Sequence, residues 1–433
     1  MASASLSVDS RYVFEVEIEE PESRSSVDHK NCSFESLDAI PDHWIVSSGM
    51  LKKKKEELKK CKPVLVEPEK FKDPWVGITH DKSFSDFATM MKDFALKKPS
   101  LPSDEELPQL KPHWDVLMKP STSPTEYQVT WIGHSTFLIQ YRGVNILTDP
   151  VFSERCSPSQ FVGPTRIKPI PFPDISKLPR IHMVVISHNH YDHLDEFAFK
   201  ELQKHHNPIF LLPFKMKYKW MTKYYNNVNE KENLKLFELD WWKGVTFKTT
   251  VKSSAETAHI VSNVTFTFLP AQHWGSRTGF FDRNEALWGS WGITFEFLES
   301  NQTITRKFWH AGDTGYNNQA FNQIGERFGP IDFAMIPIGA YEPRWFMNDQ
   351  HIDPEQAIRI AKEVKAKKSV GMHWGTFVLT LEPVMEPKHL LETGLKHEGL
   401  KESFFVTMKH GETVLYTVEE ENITNGLVLA QQR

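Results

Sequence analysis

Ser187-His188-Asn189-His190-Tyr191-Asp192-His193 places three imidazoles and one carboxylate within seven residues, directly after the apolar run Met183-Val184-Val185-Ile186. Such an aliphatic, largely β-branched run reads as a buried strand, so the histidines stand where the chain leaves a sheet. Their i, i+2, i+4, i+5 spacing cannot face one way on a regular helix or a regular strand, which puts them on a loop. Neutral imidazole nitrogens and carboxylate oxygens suit zinc, and the cluster reads as a metal site. The alternative, a solvated group of surface histidines, seldom falls at this spacing just past a buried strand.

Other strands end in similar chemistry. Residues 264–269 run into Pro270-Ala271-Gln272-His273, and residues 304–309 into His310-Ala311-Gly312-Asp313-Thr314-Gly315. Residues 333–338 precede Gly339-Ala340-Tyr341, and residues 369–372 precede His373-Trp374-Gly375. Strand ends aimed at one place make a site. A helix is expected before the last of these strands, with Asp353 as N-cap, Pro354 at N1, and Ala357, Ile358, Ile360, Ala361 and Val364 on its apolar side. Upstream, residues 129–132, 136–139 and 144–147 read as a meander that turns at Arg142-Gly143.

Together these segments supply His188, His190, Asp192, His193, His273, Asp313 and His373, seven donors and more than one tetrahedral zinc can use. Two ions are implied. Two His with a distant His make one site, Asp192 and His193 with another distant His make the second, and a carboxylate between them can bridge. Two zincs roughly 3.5 to 4 Å apart activate water and clamp the attacking and leaving oxygens of a phosphoryl displacement, so the positions predict a reaction type.

The whole chain sets limits. Its 433 residues can bury a large core, and a formal charge of −5 argues against a generally nucleic-acid-binding surface. Cys32, Cys61 and Cys156 are far apart and form no CxxC pair, which speaks against a disulfide framework or a thiolate zinc site and fits a reducing compartment. No run of about 18 apolar residues and no secretory pattern is present, so membrane contact is expected to be peripheral. Residues 1–70, with acidic and Ser-rich pieces such as Phe14-Glu15-Val16-Glu17-Ile18-Glu19-Glu20, are expected to be a largely disordered extension. Its lysine run, Lys52 to Lys55 with Lys59, Lys60 and Lys62, could attract anionic lipid or form a solvated helix face.

Residues 71–120 are expected to be a helical segment packing on or flanking a catalytic domain at 121–420, with a tail at 421–433. Phe84, Phe87, Met91 and Phe94 recur at helical spacing behind a Ser83/Asp86 capping box, and the stripe suits either the core or a lipid surface.

His-x-His-x-Asp-His with an isolated His, Gly-Asp-Thr-Gly and a terminal His resembles the metallo-β-lactamase superfamily, which implies an α/β fold, an αββα sandwich. Within it, His188 to Asp195, Leu287-Trp288-Gly289-Ser290-Trp291, Ala311 to Tyr316, Arg327-Phe328-Gly329-Pro330, the block Ile336 to Met347 and His373 to Phe377 resemble the N-acylphosphatidylethanolamine-hydrolysing phospholipase D family, from about residue 70 to about 415. The resemblance implies that His188, His190 and His273 hold one zinc, that Asp192, His193 and His373 hold the other, and that Asp313 bridges them. Asp313, Asp192 and His193 then stand at the reacting centre. Tyr191 and His351 match residues at the lipid headgroup, with Gln160 and Gln350 as further candidates; packing for Tyr191 and a helix-start role for His351 are the alternatives.

His310 stands where the family has an aromatic residue and reads as packing. His134 and Asp149 read as partners of the ligands rather than ligands, and Trp288 and Trp291 as core. Residues 243–262 exceed the family pattern and read as an enlarged surface loop.

The implied activity is cleavage of N-acylphosphatidylethanolamine to an N-acylethanolamine and phosphatidic acid by a homodimeric dizinc enzyme that is intracellular and peripheral on the cytoplasmic side of membranes, with a phospholipid and no nucleic acid as its partner. Two other functions share the fold. A nuclease would need a basic groove, and a silent lipid-binding scaffold would be expected to have lost ligands.

Overall fold

Alternation of apolar residues along the strands sorts the chain into two sheets that share one core. The computed structural model describes residues 4–9, 12–17, 64–67, 70–75, 82–216, 235–252, 259–278, 281–418 and 427–428. Its amino-terminal part contributes β1 (Ala4–Asp9), β2 (Tyr12–Glu17), β3 (Val64–Glu67) and β4 (Lys70–Lys72). There follow β5 (Glu126–Gly133), β6 (Thr136–Tyr141), β7 (Val144–Thr148), β8 (Met183–Val185), β9 (Ile209–Pro213) and β10 (Lys235–Leu239). The remainder is β11 (Gly244–Lys252), β12 (His259–Leu269), β13 (Ser290–Glu299), β14 (Gln302–His310), β15 (Phe333–Pro337), β16 (Ser369–Met372), β17 (Phe405–Val406), β18 (Thr413–Thr417) and β19 (Leu427–Val428).

One sheet runs β1-β2-β11-β12-β13-β14-β15-β16-β17 and the other β10-β9-β8-β7-β6-β5-β18-β19. Val129, Trp131, Phe137, Ile139, Tyr141 and Ile146 of the second meet Phe266, Phe268, Trp291, Ile293, Phe295 and Phe308 of the first. Ile132, Leu138 and Leu147, one step out of phase, turn to the other side and pack against Phe199 and Leu202 of the helix Glu196–His205, as a period of two requires. The helices Asn318–Arg327, Pro354–Glu363 and Glu386–His397 bury Ile324, Ile358 and Leu391 against the nine-stranded sheet. The layers are therefore α, β, β, α, the sandwich expected from the sequence. Asp353 caps the helix Pro354–Glu363 in a capping box with Gln356, also as expected.

Parallel strands fix where the loops emerge. β7, β8 and β9 are parallel, as are β14, β15 and β16. Their carboxyl ends carry Asp149, Ser187, Asp313, Ile338 and His373 to one rim of the sandwich, the usual place for a site in α/β sheets. At that rim the sheets are tied directly. Trp291 Nε1 donates to the Ile186 carbonyl at 2.8 Å, and the Gly289 amide to that of Ser187 at 3.1 Å.

Several expectations need correction. In the stretch 1–70, β1 and β2 form an antiparallel pair and β2 adds to the edge of β11, with Val16 opposite Phe247. The reason is composition: Tyr12, Val13, Phe14 and Val16 favour a strand despite the intervening glutamates. β3 pairs with β4, and the lysine run lies outside the described residues. In the tail 421–433, β19 pairs with β18, with Val428 opposite Val414, and the other residues lie outside those described. Within residues 243–262, β11 and β12 pair from Gly244 and Thr267 to Lys252 and His259, while residues 253–258, the centre of the expected loop, lie outside the described residues.

The helix Phe84–Lys97 carries the Ser83/Asp86 capping box, and Phe94 packs against the main core; the side chains of Phe84, Phe87 and Met91 lie outside those described. Phe71, Trp75 and Leu107 of the same segment are buried in that core.

Gly312 sits where the sheets approach most closely. Its φ is +60°, and a Cβ there would lie 2.7 Å from the Gly289 oxygen and 2.8 Å from Ser187 Cβ. Left-handed backbone alone disfavours alanine by roughly 1–2 kcal/mol, and the clash adds to that. Gly312→Ala is therefore expected to lower stability by about 2 kcal/mol or more in denaturant titration; an unchanged midpoint would show the rim to be looser than these distances imply.

Candidate metal centre

The segment after β8 turns tightly, with the amides of His193 and Leu194 both donating to the His190 carbonyl. Asp195 then caps the helix Glu196–His205 and accepts from the amides of Phe152 and Ser153, which ties the end of this loop to the one after β7. Three residues of the rim take left-handed backbone: His134 at the β5–β6 turn (φ 54°), Asp149 after β7 (φ 33°) and His373 after β16 (φ 61°). Such conformations persist only where the surroundings over-determine them, and here they turn side chains inward.

The seven expected donors converge. His188 Nε2 lies 2.8 Å from His190 Nδ1, which is 3.3 Å from His273 Nε2. Asp192 Oδ2 lies 3.3 Å from His373 Nε2 and 3.5 Å from His193 Nε2. Asp313 Oδ2 stands between the two groups, 3.0 Å from His373, 3.2 Å from His193 and 3.8 Å from each of His188 and His273. All seven side chains are buried or nearly so, and His193 Nε2 and Asp313 Oδ1 have no hydrogen-bond partner. Buried polar atoms without partners are costly, so donors of this chemistry packed this closely fit a bound cation. The centre is thus a metal-binding cluster in its geometry and its chemistry.

Burial works against charge on every group, yet the groups do not respond alike. It drives His188 well below the usual imidazole range, helped by His193 and His190, and takes His190 down to about 4. His373 is also penalised by burial, but the carboxylates of Asp313 and Asp192 outweigh that and raise it to about 9. Asp192 and Asp313, despite burial, are held well below the carboxylate range by the imidazoles around them.

Orienting groups surround the donors. Asp149, fully buried, accepts from His193 Nδ1 at 2.7 Å, and opposing imidazoles take it down to about 2 against the effect of burial. His134 Nε2 donates to Asp192 Oδ2 at 3.0 Å, the partner role expected of it. His273 Nδ1 donates to the Gln350 carbonyl at 3.0 Å, so Gln350 reaches the site through its backbone, while its amide oxygen accepts from Trp274 Nε1.

His351 Nδ1 lies 3.9 Å from Asp313 Oδ2 and its ring adjoins His273 and His373, at the centre rather than at the helix start. Tyr191 lies under the Arg277 guanidinium at 3.7 Å. Gln160 is exposed, and its hydrogen bonds go to the Arg155 backbone rather than to a donor. His310 is not mere packing: its Nε2 lies 2.8 Å from Asp149 Oδ2. Sequence reasoning missed that bond and the part of Ser187, whose hydroxyl lies between Asp149 and His188. Trp288 and Trp291 are core, as expected.

Fold and donors together define a metal-dependent hydrolase, and a family described as "Beta-lactamase superfamily domain" matches residues 144–374. The chain is similar to N-acyl-phosphatidylethanolamine-hydrolyzing phospholipase D 1 of Caenorhabditis elegans, 37% identical over 72% of this chain and 83% of that protein. It is also similar to the mitochondrial N-acyl-phosphatidylethanolamine-hydrolyzing phospholipase D of Saccharomyces cerevisiae, 36% identical over 63% of this chain and 53% of that protein. Among solved structures it is similar to a metallo hydrolase from Ignicoccus hospitalis, at 21% identity and a TM-score of 0.43, over 68% of this chain and 100% of that one. The chain belongs to the N-acylphosphatidylethanolamine-hydrolysing phospholipase D family of the metallo-β-lactamase superfamily.

Cys156 lies beside the rim, buried with Val151 and Phe377. Burial and the nearby Asp192 carboxylate push its thiol far above the ordinary range. Since the thiolate is the reactive form, folded protein at pH 8 should resist alkylation at Cys156 and unfolded protein should not. Rapid labelling of the folded chain, read by peptide mass spectrometry, would contradict this environment.

Proposed function

We propose that this protein hydrolyses N-acylphosphatidylethanolamine at a dizinc centre, releasing an N-acylethanolamine and phosphatidic acid. The observation that carries the reading is the position of Asp313 Oδ2, within 3.8 Å of imidazole nitrogens from both donor groups. His188, His190 and His273 would hold one ion, Asp192, His193 and His373 the other, and Asp313 would bridge them. Bound there, two zincs would supply charge neutralisation for a phosphate and water acidic enough to act as a nucleophile near neutral pH. Water adds to phosphorus, the bond from phosphorus to the ethanolamine oxygen breaks, and that oxygen takes up a proton.

The chain's own residues orient and shelter this reaction. Burial lowers His351 to about 3, so at neutral pH it is an uncharged imidazole able to hydrogen-bond a headgroup oxygen beside Asp313. Tyr191, braced by Arg277, would line the headgroup side. Beside His373 lies a small recess lined by Trp374, Phe377, Val378, Leu379 and Val384, with Glu382 at its wall.

Substrate of this kind lies in a bilayer, and peripheral membrane association belongs to the same reading. Among the described residues no helix is long and apolar enough to cross a membrane. On the loop after β7, however, Phe161 is 92% exposed and Val162 70% exposed, two adjacent apolar side chains with little protein around them. Aromatic and aliphatic tips of this kind favour a lipid interface over water.

Mass-spectrometric assay on vesicles containing N-acylphosphatidylethanolamine should detect N-acylethanolamine release that a chelator abolishes and zinc restores. Asp313→Asn should lower bound metal and cut turnover on the order of 100-fold or more; a variant with full activity would defeat the bridging role. Replacing Phe161 and Val162 together with Asp should weaken vesicle sedimentation and leave metal content intact, and undiminished binding would assign the membrane face elsewhere.

A further inference from the structure

His310 ends β14, fully buried, with Trp291 of β13 on one side of it and Met335 of β15 on the other. Its ring reaches across to the opposite sheet, to Oδ2 of Asp149. A carboxylate oxygen only accepts, so His310 donates through Nε2. The same carboxylate takes Nδ1–H of His193 at 2.7 Å, the Ser187 hydroxyl at 2.6 Å and the Ser187 amide at 2.7 Å. The Ser187 hydroxyl has one hydrogen, and with that given to Asp149 it accepts from Nδ1 of His188 at 2.9 Å. With Nδ1–H donated, a neutral ring presents Nε2 as a lone pair, in His193 and His188 alike. One buried carboxylate therefore aims a donor from each half of the cluster.

We propose that His310 is a positioning residue for both metal sites, pinning Asp149 from the opposite sheet and thereby fixing the aim of His193 and, through Ser187, of His188. The inference rests on reading the cluster as a two-metal centre. Of the four hydrogen bonds to Asp149, those from Ser187 and His193 come from the loop after β8, the strand next to β7, and would drift with it. His310 brings the one from the nine-stranded sheet, which also carries His273, Asp313 and His373. The His310 bond thus references one half of the donor set to the other. Asp149 needs such a hold, because its left-handed backbone at φ 33° is not a conformation it keeps unaided.

The test separates bonding from bulk. His310→Phe fills the same space without a donor, and His310→Gln carries an amide N–H that reaches about as far as Nε2. Zinc-loaded proteins are challenged with a chromogenic chelator and the rate of zinc release is followed, alongside the melting temperature of each metal-free protein. His310→Phe should release zinc roughly 10-fold faster or more and His310→Gln within about 3-fold of wild type, the size expected when an outer partner of a ligand is lost or kept. Phe and wild-type proteins that hold zinc equally long would overturn the proposal, as would Phe and Gln variants equally leaky with equally lowered metal-free melting temperatures, the mark of a packing role. A wild-type chain that takes up no zinc would instead sink the metal reading, and the proposal with it.

Discussion

The donors of a single cluster arrive from two different sheets, so the separation of those sheets at one rim governs everything the rim can do. Sheets packed face to face lie about 10 Å apart, whereas a metal site tolerates ligand errors of only about 0.2 Å. Three contacts close that gap in scale: the Trp291 indole on the Ile186 carbonyl, the Gly289 amide on Ser187, and the bare Cα of Gly312 against Ser187. Each touches the chain within a residue or two of His188. The aromatic core behind them, with Trp131, Phe268 and Trp291 fully buried, is close-packed and transmits displacement instead of absorbing it. Core packing and site geometry are in this sense one problem.

Electrostatics divides the centre into unlike halves. Around His188 and His190 burial dominates and the imidazoles stay neutral, ready to act as donors. Around His373 the carboxylates of Asp313 and Asp192 dominate and raise the imidazole above its ordinary range. The buried carboxylates are tolerable because imidazoles, or a cation, always face them, and removing those partners would leave charges that a low-dielectric interior cannot support.

Much of this was legible from local pattern. The meander of β5, β6 and β7, the capped helix Pro354–Glu363 and the donors at strand ends all announce themselves within a few residues, by period or by cap. The strand β2 was equally local, but its glutamates masked the β-favouring Tyr12, Val13, Phe14 and Val16 among them. The pairing of β11 with β12 was hidden by comparison with shorter relatives, which makes extra residues look like a loop. His310 was out of reach for a different reason: its partner Asp149 lies 161 residues away on the other sheet, and a histidine ending a strand looks the same whether it packs or bonds. Gln160, expected as a further substrate contact, has its amide engaged locally by the Arg155 backbone.

The division of labour between strand ends and loops explains how one framework serves many substrates. His188, His273, Asp313 and His373 each fall within four residues of a strand end, where backbone bonds on both sides leave little freedom. Chemistry held that rigidly is general: any phosphodiester brought to Asp313 would meet the same charges. Selection among substrates must then come from the segments that leave the sheets altogether. These are the loop bearing Phe161 and Val162, the stretch from Gly339 to His351, and the recess walls at Trp374 to Leu379. The first exposes apolar tips, the last walls a small recess beside His373, and the middle one carries His351 to the donors. On the reading proposed above, a bilayer would meet the first and a headgroup the second, so that one substrate would engage segments from different parts of the chain.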